Sequence, residues 1–107
     1  MTVVDLHRDA IKRGLADGEI LLIDVREPHE FLDGHIPGAV PHPLSTFDTR
    51  SLATLIAEDG RRPVFSCMSG VRSVHALNAA QAAGIPIDAH YKGGFKDWAA
   101  AGEPIES

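Results

Sequence analysis

The sequence predicts an α/β domain built on a parallel sheet. Short apolar runs alternate with segments of helical spacing, and Gly and Pro punctuate the joins between them. The most apolar run, EILLIDV from Glu19 to Val25, is continuous rather than alternating, as in a strand buried on both faces of a parallel sheet. At 107 residues the chain has the length of one domain with its own core, and residues 1–107 are read as that one domain. No composition shift, low-complexity tract or internal repeat marks a linker or a second module.

Ahead of the first strand, Leu6, Ala10, Ile11 and Leu15 recur at near-helical spacing, and Asp17-Gly18 closes a short helix. After Val25, the residues Pro28, Gly34, Pro37, Gly38, Pro41 and Pro43 forbid a long helix, although Pro28 can open one turn. A structured loop with a brief strand near Ala39 and Val40 is expected there. Asp48 or Thr49 caps a helix with Leu52, Leu55 and Ile56 on its apolar face, ending near Gly60. Pro63 to Ser66 reads as a buried strand. An alanine-rich helix follows from Val71 to Ala83, with Val71, Val74 and Leu77 on one face and Gly84 in the C-terminal cap position. Ile85 to His90 supplies the last strand, Gly93-Gly94 a tight turn, and Phe95, Trp98 and Ala99 a final helix that stops at Gly102 and Pro104. Phe95 and Trp98, three residues apart, are assigned to the core.

Composition narrows the function. Apolar residues make up 44% and charged residues 23%, which excludes the disordered, collagen-like and disulfide-rich classes. The net charge of -5 is scattered, with no basic run, so no nucleic-acid partner is expected. No apolar stretch approaches the roughly 18 residues of a membrane span, and MTVVDLHRDA lacks the order of a signal sequence. A cytoplasmic protein with no membrane partner is the expectation. The six histidines, His7, His29, His35, His42, His75 and His90, show no ligand spacing, and no metal site is expected. None of them is singled out as a general base.

A lone cysteine, Cys67, is either a buried filler or a used thiol, and its neighbours decide. In PVFSCMSGVRS a buried strand delivers Cys67 into a short loop that opens directly into a helix. Ligands of open parallel sheets collect beyond the carboxyl ends of strands, and the unpaired N–H groups of such a loop and of the first helical turn stabilise a thiolate. Ser69 and Gly70 are small enough to let the loop curl with its amides inward. Arg72 offers a fixed positive charge, directed into the pocket or onto the loop. Met68 and Val71 border the pocket mouth. The functional reading of Cys67 follows.

Four segments resemble the rhodanese family in the family's order: LLIDVREPHEF at 21–31, GHIPGAVPHPL at 34–44, CMSGVRS at 67–73 and YKGGFKDWAAAGEPI at 91–105. The resemblance implies a rhodanese-like α/β fold with a five-stranded parallel sheet and helices on both faces. It implies a sulfurtransferase whose Cys67 alternates between thiol and persulfide, with Met68, Ser69, Gly70, Val71 and Arg72 as the substrate-binding loop. The donor would be thiosulfate, a persulfide or a polysulfide, and the acceptor cyanide, a thiol or a protein. No metal and no organic cofactor would be needed. By the same resemblance, Asp24, Arg26 and Glu27 are mainly structural, and His35 packs in a loop.

Two alternatives stay open. One is a noncatalytic rhodanese-like recognition module. The other is a phosphatase or arsenate reductase of related fold, although the corresponding loop of those enzymes is one residue longer than the six from Cys67 to Arg72.

Overall fold

All five residues of strand β2, Ile20–Asp24, are buried, as a continuous apolar run requires. The computed structural model describes residues 1–107. Around β2 lie β1 (Val4–Leu6), β3 (Val40–Pro41), β4 (Arg62–Ser66) and β5 (Ala89–Tyr91), in the order β1-β5-β4-β2-β3. Every neighbouring pair is parallel. The helices are α1 (Arg8–Ala16), α2 (Pro28–Asp33), α3 (Thr49–Asp59), α4 (Arg72–Ala82) and α5 (Gly94–Ala100), and Leu44–Thr46 forms a 3-10 turn. None is long and apolar enough to cross a membrane.

Strand alternation divides the core between two faces. Leu21 and Ile23 of β2, with Val25 beyond it and Phe65 of β4, meet Leu52 and Ile56 of α3 and Ala76, Leu77 and Ala80 of α4. Ile20, Leu22 and Val64 meet Ile11 of α1 and Trp98 of α5 on the other side. The expected five-stranded parallel sheet with helices on both faces is the observed architecture. The cap of α3 is also as expected, with the Asp48 carboxylate accepting from the Arg50 N–H and Gly60 ending the helix at φ +82°.

Four details differ from the sequence reading. Leu6 belongs to β1 rather than to the first helix, because Val4, Asp5 and Leu6 pair with Ala89, His90 and Tyr91, a long-range contact that local spacing does not reveal. The last strand begins at Ala89 rather than Ile85 and extends to Tyr91. Helix α4 buries its small residues Ser73, Ala76 and Ala80 together with Leu77, and leaves Val71 60% exposed, because small side chains let the helix approach the sheet closely. Phe95 is only partly buried, and its ring lies 4.3 Å below the Arg26 guanidinium carbon.

The buried Asp24–Arg26 pair joins the end of β2 to the surrounding loops. Arg26 donates from Nε to both Asp24 oxygens at 3.1 Å, and from Nη2 to Asp24 at 2.9 Å and to the Gly34 carbonyl at 2.8 Å. Both side chains are at most 5% exposed. Removing one partner strands the other charge without water, so Arg26→Ala is expected to lose about 3–5 kcal/mol in urea denaturation. A loss under about 1 kcal/mol would show that the pair is not what fixes this corner.

Candidate active site

Cys67 follows the carboxyl end of β4, the central strand, and its loop leads into α4 five positions later, at Arg72. The loop's shape is imposed from α5. The Cys67 carbonyl accepts from the Phe95 N–H at 2.8 Å, and the Met68 carbonyl accepts from the Lys96 N–H at 3.0 Å. With these carbonyls bound away from the sulfur, the following amides are free to turn toward it. This contact demands glycine at 94: its φ is +65°, and a Cβ there would lie 2.6 Å from both the Cys67 and Met68 carbonyl oxygens. Gly70 is equally constrained, at φ +87° with a Cβ position 2.5 Å from the Lys92 carbonyl oxygen.

Cys67 is 1% exposed, and its sulfur sits inside the curled loop. The Gly70 N–H donates to Sγ at 3.1 Å, and the Ser73 hydroxyl oxygen lies 3.5 Å from it. Burial pushes the thiol pKa up, but the Ser73 hydroxyl and the N–H groups of Ser73, Ser69 and Gly70 pull it down, and the net shift is downward. Cys67 is therefore poised toward thiolate by dipoles arranged before any ligand arrives.

Arg72 supports the loop from the side. Its guanidinium binds Glu30 of α2 bidentately, at 2.6 and 3.0 Å. Glu30 is in turn fixed in a capping box, with its carboxylate accepting from the Glu27 N–H at 3.0 Å. Arg72 is held above its usual pKa by the Glu30 hydrogen bond, against the effect of burial, and the charges of Glu30 and Cys67 add to the rise. Met68 reaches a recess of about 320 Å³ that Arg26, Glu30 and Phe95 also line. Ser69 and Val71 are exposed at the loop's outer edge. Of the loop residues named from sequence, Gly70 donates directly to the sulfur, Arg72 is turned onto Glu30, and Met68, Ser69 and Val71 form the outer side of the loop. His35 packs in its loop, stacked on Phe31 at 3.8 Å, and His75 is exposed to solvent on α4.

Sequence reasoning missed three residues behind the loop. Ser73 contacts the sulfur, His90 of β5 contacts Ser73 at 2.7 Å, and Asp5 of β1 contacts His90 at 2.6 Å. Asp5 and His90 are 85 positions apart, and only the pairing of the two strands brings them together. The signal available for Ser73 was its place immediately after the loop.

A family model described as a rhodanese-like domain matches residues 7–101. A sulfurtransferase from Allochromatium vinosum is 34% identical over 104 residues, covering 96% of this chain and 94% of that protein. A mouse thiosulfate sulfurtransferase/rhodanese-like domain-containing protein is 34% identical over 82% of this chain, and the chain spans 63% of its length. Another relative, a Synechocystis protein 38% identical over 79% of this chain, is spanned for 46% of its length. Among solved structures, a rhodanese-like domain from Anabaena superposes with a TM-score of 0.80 at 28% identity, over 96% of this chain and 78% of that one.

The Arg72–Glu30 clamp has a pH signature. The Arg72 hydrogen bond lowers the Glu30 pKa from 4.5 to about 2, outweighing burial, with the Glu27 N–H assisting. A carboxyl depressed in the folded state contributes its stabilisation fully above the unfolded pKa and loses it as pH falls through the folded one. Glu30→Gln is expected to cost about 1 kcal/mol at neutral pH. In urea titrations that cost should shrink as pH drops from 4.5 toward about 2. A cost that stays constant across that window would contradict the clamp.

Proposed function

The chain belongs to the rhodanese-like domain family, and from that premise we propose that it is a sulfurtransferase carrying sulfane sulfur as a persulfide on Cys67. The observation that supports this reading best is the sulfur itself: a lone, buried cysteine at a strand end, with the Gly70 N–H donating to its Sγ at 3.1 Å and the Ser73 hydroxyl oxygen 3.5 Å away. Residues 1–107 act as one rhodanese domain in this reading, in the cytoplasm, with Met68, Ser69, Gly70, Val71 and Arg72 forming the substrate loop.

The Cys67 thiolate attacks the outer sulfur of thiosulfate, a persulfide or a polysulfide. One S–S bond forms, the donor's S–S bond breaks, and the donor residue, sulfite in the case of thiosulfate, leaves with the electron pair. The loop amides that face Sγ stabilise the anionic persulfide as they stabilised the thiolate. An acceptor nucleophile, cyanide or a thiol, then takes the outer sulfur and returns Cys67 to thiolate. A protein thiol serves the same role as a small one. Both half-reactions move sulfur between nucleophiles, and neither calls for a metal or an organic cofactor.

A loop of six residues from Cys67 to Arg72 favours sulfur over phosphate. Its amides converge on one atom, whereas a tetrahedral oxyanion needs donors at hydrogen-bond distance from several oxygens. Arg72, engaged by Glu30 through two of its nitrogens, is also poorly placed to clamp such an ion.

Steady-state thiocyanate formation from thiosulfate and cyanide tests the proposal. Wild type is expected to show parallel-line, ping-pong kinetics, with Cys67→Ser slower by about a thousandfold or more. A Cys67→Ser enzyme within tenfold of wild type would remove the cysteine from the mechanism. Efficient Cys67-dependent hydrolysis of an aryl phosphate, with no sulfur transfer, would assign the loop to phosphate chemistry instead.

A further inference from the structure

His90 is a buried imidazole, 2% exposed, with both ring nitrogens engaged. Nε2 lies 2.6 Å from Asp5 Oδ1, and Nδ1 lies 2.7 Å from Ser73 Oγ. Ser73 is fully buried, and its Oγ is 3.5 Å from Cys67 Sγ. An unbroken polar chain therefore runs from the sulfur to a carboxylate that is 42% exposed at the sheet edge. Sulfur transfer as described above uses neither His90 nor Asp5. Burying an imidazole there costs free energy that an apolar side chain would not.

The carboxylate sets the tautomer. Asp5 has its pKa lowered, first by the His90 hydrogen bond, against the effect of desolvation and with help from Lys92. As an ionised acceptor it takes the Nε2–H, which leaves Nδ1 of the neutral ring to accept from the Ser73 hydroxyl. The Ser73 oxygen is then free to accept from the Cys67 thiol. Each hydrogen along the chain points from sulfur toward carboxylate.

We propose that His90 is the proton store of Cys67: Ser73 relays the thiol proton to the His90 ring, and Asp5 holds the imidazolium, so that the thiolate forms within an internal ion pair. The S–H bond breaks as an O–H bond forms at Ser73, whose original hydrogen passes to His90 Nδ1. No electrons change owner. After transfer the two hydrogen bonds of Ser73 are reversed, with Nδ1–H donating to Ser73 Oγ and the Ser73 hydroxyl donating to the thiolate, while Nε2–H still donates to Asp5. With Cys67 1% exposed, its thiol has little direct contact with water, and the polar chain gives its proton a destination inside the protein. Ser73 touches the reacting sulfur, whereas His90 and Asp5 are positioning residues that act through it. The other charged group at this end is Lys92, whose Nζ is 3.6 Å from Asp5 Oδ2 and which tempers the carboxylate from the solvent side.

The inference rests on Cys67 as the nucleophile of the proposed transferase, and its test uses no sulfur donor, so the two can fail separately. The first arm follows the ring-nitrogen resonances of His90 through a pH titration in wild type and in Cys67→Ala. The two curves should separate, because only wild type has a thiolate to hold the proton on the ring. Superimposed curves would overturn the coupling. The second arm measures alkylation of Cys67 by iodoacetamide. At about pH 6, His90→Gln and Asp5→Ala should each react about tenfold more slowly than wild type and approach it in alkali. The Ser73→Ala/His90→Gln double variant should be no slower than Ser73→Ala alone, because His90 acts through Ser73. Asp5 lies on an exposed edge, so its variant keeps the second arm decisive even where a buried substitution unfolds the protein. Unchanged rates in Asp5→Ala would overturn the proposal.

Discussion

Two carbonyl groups bound away from a sulfur atom are the constraint on which this site depends. The first turn of α5 takes the Cys67 and Met68 carbonyls through the N–H groups of Phe95 and Lys96. A six-residue loop has as many carbonyl dipoles as amide dipoles, and left to itself it would present both to its centre. Sequestering the carbonyls on one side leaves a surplus of N–H on the other, and the Ser73 hydroxyl together with that surplus lowers the Cys67 pKa against the penalty of burial. Two glycines permit the close approach, Gly94 beside the loop carbonyls and Gly70 beside the Lys92 carbonyl. The loop and the Gly-Gly turn are thus one structure built from two distant parts of the chain.

The rest of the architecture holds those two parts in register. Parallel pairing of β4 with β2 and β5 brings the strand ends together on one side of the sheet. The Asp24–Arg26 pair then fastens the end of β2 to the Gly34 carbonyl and to the ring of Phe95, the residue whose N–H holds the Cys67 carbonyl. Arg72 and Glu30 brace the outer side of the loop against α2. The guanidinium's charge is largely answered by its carboxylate partner, so the sulfur feels mainly oriented dipoles. Such a field suits a compact monoanionic sulfur better than a multiply charged oxyanion.

Much of this was legible in the sequence because it is local. The buried run of β2, the Asp48 and Gly60 caps of α3 and the strand-loop-helix passage through Cys67 are each specified by neighbouring residues. What escaped is long-range. The three-residue strand β1 exists only by pairing with β5, and the face of α4 that is buried depends on how closely the helix meets the sheet. His90 and Asp5 fall in the same class: no spacing rule connects residues 85 positions apart, and the absence of a Cys-His motif in the sequence conceals an indirect couple through Ser73. The role expected for Arg72 was left open by sequence for the same reason, since its partner Glu30 is 42 residues away.

Intact mass after incubation with thiosulfate or polysulfide, followed by cyanide, reads the stored sulfur directly. Wild type is expected to gain one sulfur atom that cyanide removes, and Cys67→Ala to gain none. A wild-type protein that acquires no sulfur from any sulfane donor, or a Cys67→Ala protein that acquires it equally well, would contradict a persulfide held in the amide ring of this loop.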